Sequence, residues 1–392
     1  MDQRLPLELL LEIIHILDPE KGTSGGAKAL SQLLQTSRFM YRLVLPIYYS
    51  HMGTWKVAQS RILDSKLSEH SDKNIFSYIQ EITICTEKKR SPGIPKMISV
   101  LLRMGNLKKL HLRGLLEESL DHRLQLQKVL KRLVELEIVN MGVCLYGSEW
   151  IEPLNGLQTL SLPGLRPGYP VFIPKNLKTF TYYGDSMESA STSPCLNNGA
   201  LTTLNIPLST LACYLGNESS RCSFCDFSED VNEENTVNTN NSAYPFLPKT
   251  LRHLHLNCSN SMGEFNERDV LFFLPILRQL SITRLELEIN IYLEQHEDFE
   301  LARWIDAFPT SLTHWQLIYN DAVPMSAEEA EGKKISSKDH IQRMIEPRKQ
   351  DLKSLKKITL EWKFLDRDGF WFDWDFVKNK FLLTGLSDRI TS

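Results

Sequence analysis

Cysteine is scarce in this chain, with seven in 392 residues, at positions 85, 144, 195, 213, 222, 225 and 258. Their odd number and irregular spacing fit reduced thiols and argue against a disulfide framework. Neither sign of charge prevails: 45 Lys and Arg against 48 Asp and Glu leave a net charge of −3. Nothing of that size draws the whole chain to nucleic acid or to an anionic membrane. Long apolar runs are missing too. Even the stretch from Leu9 to Leu17 is interrupted by Glu12 and His15, far short of the roughly 18–20 apolar residues of a spanning helix. The opening MDQRLPLELL has no basic, apolar and small-residue tripartite order, so export is not expected. The expected location is the cytoplasm or nucleus, with neither nucleic acid nor membrane as a partner.

Signatures of phosphate and metal chemistry are equally thin: no H-E-x-x-H, P-loop or G-x-G-x-x-G occurs. Gly22-Thr23-Ser24-Gly25-Gly26 has the letters of a nucleophile elbow, but that turn joins a buried strand to a helix, and here a helix end precedes it. A flexible turn is the expectation, with a hydrolase using Ser24 as the rival. Cys222-x-x-Cys225 has no second pair at zinc-ligand spacing, although His253 and His255 are residues that folding could bring to it. No catalytic residue, metal or cofactor is expected.

What the chain has is leucine, 60 residues of it, placed periodically after about residue 75. The pattern Leu-x-x-Leu-x-Leu, with conservative variants, starts at Ile79, Leu107, Leu133, Leu157, Leu177 and Leu201, and again at Leu251, Leu277, Leu312 and Leu355. Most short intervals lie between 20 and 28 residues, a period typical of stacked repeats. Each match reads as a short strand. Helical stretches are expected between several of them, at Lys96 to Met104, Glu117 to Lys131, Asn266 to Leu274 and Asp298 to Phe308. Such units bury their apolar faces only by stacking, which makes an extended binding surface. Residues 76–363 resemble the leucine-rich-repeat family on this pattern. The asparagine that commonly follows the family's core pattern is largely missing, Asn320 being the nearest case.

Alternate residues of each strand point away from the core leucines. The target-binding positions expected on that face are Lys109, His111, Arg113, Glu135, Glu137, Tyr183, His253 and His255, with Gln279, Ser281 and Thr283 assigned to the face by the Leu277 match. Insertions are expected at 217–243, with six acidic residues and one arginine, and at 325–350. Residues 364–392 read as a C-terminal cap. From Trp362 to Phe381 the chain carries eight of its 36 aromatics; most are expected to cover the end of the core, with Trp371 and Trp374 exposed for a target.

At the other end, Leu5-Pro6 and then Leu7 to Leu17 read as a helix that stops near Asp18-Pro19. At about 100° per residue its apolar side chains span an arc of roughly 220°, too broad for a helix buried on one side. Short helices at Ala27 to Leu34 and Ser37 to Leu45 follow, with Thr36 or Ser37 as a cap and Pro46 as the stop. A bundle of about 45 residues is marginal alone, so surplus apolar surface on it points to a docked protein. These residues, LPLELLLEIIHIL and then ALSQLLQTSRFMYRLVLPIYY, resemble the F-box over about residues 4–50, the departure being the glycine-rich insert at 22–26.

The resemblance implies that Leu5, Pro6, Leu9, Leu10, Ile13, Ile14, Leu17 and Pro46 hold a Skp-type adaptor and, through it, a cullin-RING ligase. The expected fold is an F-box helical bundle (1–50), a helical linker (51–75), an irregular leucine-rich-repeat solenoid of short parallel strands alternating with helices (76–363), and the cap. The expected function is substrate recognition for a Skp-cullin-F-box ubiquitin ligase, by a noncatalytic subunit that binds an unidentified protein target. A binding scaffold acting outside a ligase is the alternative.

Overall fold

A computed structural model describes residues 7–17, 26–56, 75–86, 94–114, 120–139, 154–162, 173–183, 196, 199–215, 247–258, 267–290, 297–321, 339, 342–348, 350–364, 370–375 and 380–386. The chain divides into two compact units, Met1–Cys144 with Trp150–Ser161, and Leu145–Glu149 with Leu162–Ser392. The architecture is mixed helix and strand with a mostly parallel sheet, compatible with a solenoid. No helix among the described residues is long and apolar enough to cross a membrane.

Unit 1 opens with α1 (Leu7–Ile16), α2 (Gly26–Thr36) and α3 (Arg38–Ser50). Ile14, Leu30 and Val44 form their sealed centre, with Leu10, Leu17, Leu33, Leu34, Leu43 and Ile47 packed against it. Ser37 caps α3, its Oγ accepting from the Met40 amide at 3.1 Å, which satisfies one of the orphan donors at the helix start. Pro46 does not stop α3 as expected: the helix runs on to Ser50. Proline removes one i→i−4 hydrogen bond, but Ile47 and Tyr48 beyond it pack on the core, and that burial offsets the loss.

The strands β1 (His51–Lys56), β2 (Glu81–Thr86), β3 (Lys109–Gly114), β4 (Glu135–Val139) and β5 (Thr159–Leu162) follow, with α4 (Ile94–Arg103) and α5 (Leu120–Leu130) between. Residues 51–56, expected within a helical linker, are therefore a strand, paired parallel to β2. Neighbours are in parallel register, so Ile82, Leu110, Leu136 and Leu160 line up across the sheet, all fully buried. Each such leucine contributes roughly 1.5–3 kcal/mol on leaving water.

In unit 2, β6 (Thr179–Tyr182), β7 (Thr203–Pro207), β8 (His253–Asn257), β9 (Arg284–Asn290), β10 (His314–Asp321) and β11 (Lys357–Phe364) are parallel. The helices are α6 (Leu208–Tyr214), α7 (Glu267–Gln279) and α8 (Glu297–Asp306). β12 (Phe370–Asp375) and β13 (Lys380–Leu386) continue the sheet antiparallel. Phe180, Leu204, Leu254, Leu285, Trp315, Ile358 and Trp374 form one rung of the core.

One turn recurs at the entry to the strands of both units. The amide of the leucine two residues before a strand donates back three residues: Leu107 to Met104 at 3.2 Å, Leu133 to Leu130 at 3.0 Å, Leu251 to Pro248 at 3.0 Å and Leu312 to Pro309 at 3.0 Å. A single carbonyl of the preceding entry then accepts two successive amides. Lys108 takes Val134 and Glu135, and Thr283 takes Thr313 and His314.

Two boundaries differ from expectation in unit 2. α7 continues through Pro275 to Gln279, held by Phe273, Leu274 and Leu277, which are buried on both sides of the proline. The motif at Leu277 consequently opens in the last turn of the helix, and the strand's own match starts five residues later, as Ile282-x-x-Leu285-x-Leu287, with β9 beginning at Arg284. Gln279, Ser281 and Thr283 therefore lie outside the strand, and Arg284, Glu286 and Glu288 take the face positions.

Candidate functional site

The side chains of α1 sort sharply by burial. Leu9, Ile13 and Ile16, spaced i, i+4 and i+7, are 48%, 46% and 54% exposed and share one helix face. Leu10 and Leu17 pack inward. Ile14, expected on the docking surface, is fully buried and belongs to the core, because it lies about 100° round the helix from Ile13. Pro46 is half-buried within α3. Leu5 and Pro6 lie outside the described residues. Phe39, in the first turn of α3, is 58% exposed and was not among the expected docking residues; an aromatic two residues after the Ser37 cap, where no core position is due, is the signal for it.

On the strand face of unit 1, His111 lies opposite Glu137 in register. Its Nδ1 sits 2.5 Å from Glu137 Oε2 and its Nε2 3.6 Å from Glu81 Oε1. Lys109 Nζ approaches Glu81 Oε2 at 3.4 Å. The hydrogen bonds to Glu137 and Glu81 outweigh burial and raise the His111 pKa to about 9. The same contact with His111 holds Glu137 below the usual carboxylate range.

Unit 2 carries a longer ladder across β8 to β12. His253 Nε2 lies 3.0 Å from Glu286 Oε1, and His255 bridges Glu286 Oε2 at 3.4 Å and Glu288 Oε2 at 3.0 Å. Arg284 joins Glu286 to Gln316, donating to the Gln316 carbonyl oxygen at 2.9 Å; Gln316 in turn donates to Glu361 at 2.8 Å. His314 meets the Thr359 hydroxyl at 3.0 Å, and that hydroxyl donates to Asp373, which also pairs with Lys357 at 2.8 Å. Most of these ties run diagonally between strands, where longer side chains reach each other. Burial works against the charge on Glu286, but His253, Arg284 and His255 outweigh it and hold its pKa at about 2. Burial, with Arg284 and Lys357 nearby, pushes His314 down to about 4.

These shifts have opposite signs in pH. A histidine raised on folding stabilises fully below its unfolded pKa of about 6.5, and that contribution disappears as pH rises through about 9. His314, depressed, stabilises above about 6.5 and loses this as pH falls toward 4; Glu286 follows between its ordinary value of 4.5 and about 2. Stability is therefore expected to peak near pH 6–7. Urea unfolding across pH 4–9 should show His111→Gln removing about 1–2 kcal/mol of the alkaline loss, a figure reduced for partial solvent screening. An alkaline limb of unchanged slope in the variant would show that His111 does not cause it.

The strand face thus gathers Lys109, His111 and Glu137 in unit 1, and His253 and His255 in unit 2, as half-buried, cross-paired groups; Arg113 and Glu135 are also half-buried on it. Tyr183, 54% exposed, follows the end of β6. Trp374, expected exposed, is 1% exposed, because its place opposite Ile358 continues the core rung. The side chain of Trp371, the Ser24 turn and the Cys222–Cys225 pair lie outside the described residues, as does the 217–243 insertion. Among the described residues no cluster of three or more His, Cys, Asp or Glu has metal-site geometry.

No family model and no curated protein matches this sequence. One solved structure, of a Bacteroides fragilis protein from a structural genomics consortium, aligns over 72% of this chain and 71% of its own, at 11% identity and a TM-score of 0.31. A likeness that slight decides nothing about function.

Proposed function

We propose that this chain is a noncatalytic substrate receptor. Its opening helices dock a Skp-type adaptor of a cullin-RING ubiquitin ligase, and its repeat array holds a protein target through the strand face. The observation that supports this most is the apolar stripe Leu9, Ile13 and Ile16, left exposed on a helix whose inner side is already sealed by Ile14. Three large aliphatic side chains in a row on a small bundle are costly unless covered. With the F-box resemblance of residues 4–50, the occupant is the adaptor.

The chemistry of the reading is proximity. A target held on the array is brought near a charged conjugating enzyme, which raises the effective concentration of its lysines without bond chemistry by this chain. The location that goes with such a role is the cytoplasm or nucleus.

The test is co-purification of the full chain with a recombinant Skp-type adaptor. Leu9→Asp with Ile13→Asp is expected to abolish it while the sheet units stay folded. Undiminished capture of the adaptor by the double variant would falsify the docking assignment. Adaptor capture without cullin, from a lysate containing both, would instead make the chain a scaffold outside the ligase.

A further inference from the structure

Unit 2 contains a cavity of about 440 Å³ between α7, the turn before β8 and the end of α6. α7 presents Phe272, Pro275, Ile276 and Gln279 to it, spaced i, i+3, i+4 and i+7 and so on one face. Leu215, Leu247, Leu251 and Leu280 complete an apolar wall. The polar lining is Lys249, Gln279 and Ser281. Arg252 draws these together: its Nη1 donates to the carbonyls of Lys249 at 2.8 Å, Leu251 at 2.8 Å and Ser281 at 3.4 Å, which ties the turn before β8 to the residues just after α7 ends at Gln279.

That end is cationic. Lys249, which lines it, brings one full positive charge, against the roughly half negative charge of a helix C-terminus; Arg252 stands behind the lining, engaged by the turn's carbonyls. An apolar wall with one cationic, donor-rich end matches a molecule with the opposite layout. We propose that the cavity binds an amphiphile with a single apolar chain and one carboxylate, of the medium-chain fatty acid class. Its volume is near the lower end of ligand pockets, roughly 300–1,000 Å³, and suits a chain of roughly ten carbons. Burial of that chain contributes about 0.8 kcal/mol per methylene, and the carboxylate at Lys249 sets its direction. The ligand enters as a free monomer, because the cavity has room for one chain and not for a bilayer surface.

The experiment is isothermal titration of the full chain with decanoate below its micelle concentration, beside decanol, decyltrimethylammonium and phosphatidylcholine vesicles. Decanoate is expected to bind, decanol to bind more weakly, and the cation and the vesicles not to bind. Lys249→Glu, at an exposed position, should weaken decanoate by at least about tenfold and leave decanol unchanged. Ile276→Trp, at a half-buried position, should fill the cavity and remove both. Three results each overturn the proposal: no decanoate binding to the unaltered chain, equal binding of decanoate and decyltrimethylammonium, or decanoate affinity unmoved by Lys249→Glu. Vesicle binding without decanoate binding would also overturn it, by assigning the surface to a membrane. Should Ile276→Trp melt the chain, the Lys249→Glu comparison decides alone.

Discussion

Glu286→Leu is expected to cost unit 2 about 2–3 kcal/mol of stability near neutral pH. The carboxylate is 10% exposed and faces His253, His255 and Arg284 together. Removing one side of a buried charged cluster leaves the other side desolvated and without a counter-charge, an effect of roughly 3–5 kcal/mol when the groups are fully enclosed. Arg284 is 42% exposed and can turn to water, which places the expected loss below that range. Urea unfolding at pH 7 measures it, with Lys353→Leu, at an exposed position of unit 2, as a reference, since single surface changes usually stay within about 0.5 kcal/mol. The acid limb that begins below pH 4.5 should shrink in the same variant, because the depressed Glu286 pKa contributes to it. A loss no larger than that of Lys353→Leu would mean that the ladder's charges cancel without holding the strands.

A second large effect separates core from surface on α1. Ile14→Asp is expected to unfold the first three helices: its side chain has no exposure and packs among Leu30 and Val44. A carboxylate there has neither water nor a counter-charge, a cost of several kcal/mol, and a group of helices this small has little stability to lose. Leu9→Asp with Ile13→Asp changes side chains already about half in water, so the helices are expected to persist. Far-ultraviolet circular dichroism and limited proteolysis of residues 1–50 distinguish the two outcomes. Both variants should lose the adaptor, but only the second attributes that loss to a contact surface. Collapse of the helices in the Leu9/Ile13 variant would place those residues in the core and withdraw the docking face.

The strand face was readable one repeat at a time. The alternation around Lys109, His111 and Glu137 placed them side by side, and the pairing of β3 with β4 has them in register. The same reasoning failed at Leu277, because LRQLSI meets the leucine pattern and is followed five residues later by a second match. The helix expected to end at Leu274 instead crosses Pro275 and runs on to Gln279, into the motif itself. The better signal was RLELEI, whose strict alternation from Arg284 suits a strand, followed by Asn290 in the place where the repeat pattern expects asparagine. Glu286, the hub of the ladder, was missed with it.

Local patterns settled three things before any coordinates: where leucines recur, that strands follow one another with helices between several of them, and that α1 has more apolar surface than a one-sided helix needs. Those follow from periodicity alone, because side-chain direction repeats every two residues in a strand and every 3.6 in a helix. Only the folded chain decided which of those apolar residues stay in water, that helices run through Pro46 and Pro275, and that Trp374 is sealed against Ile358. Each of these depends on what lies across from a residue in space, where burial of neighbouring side chains outweighs a single lost backbone hydrogen bond.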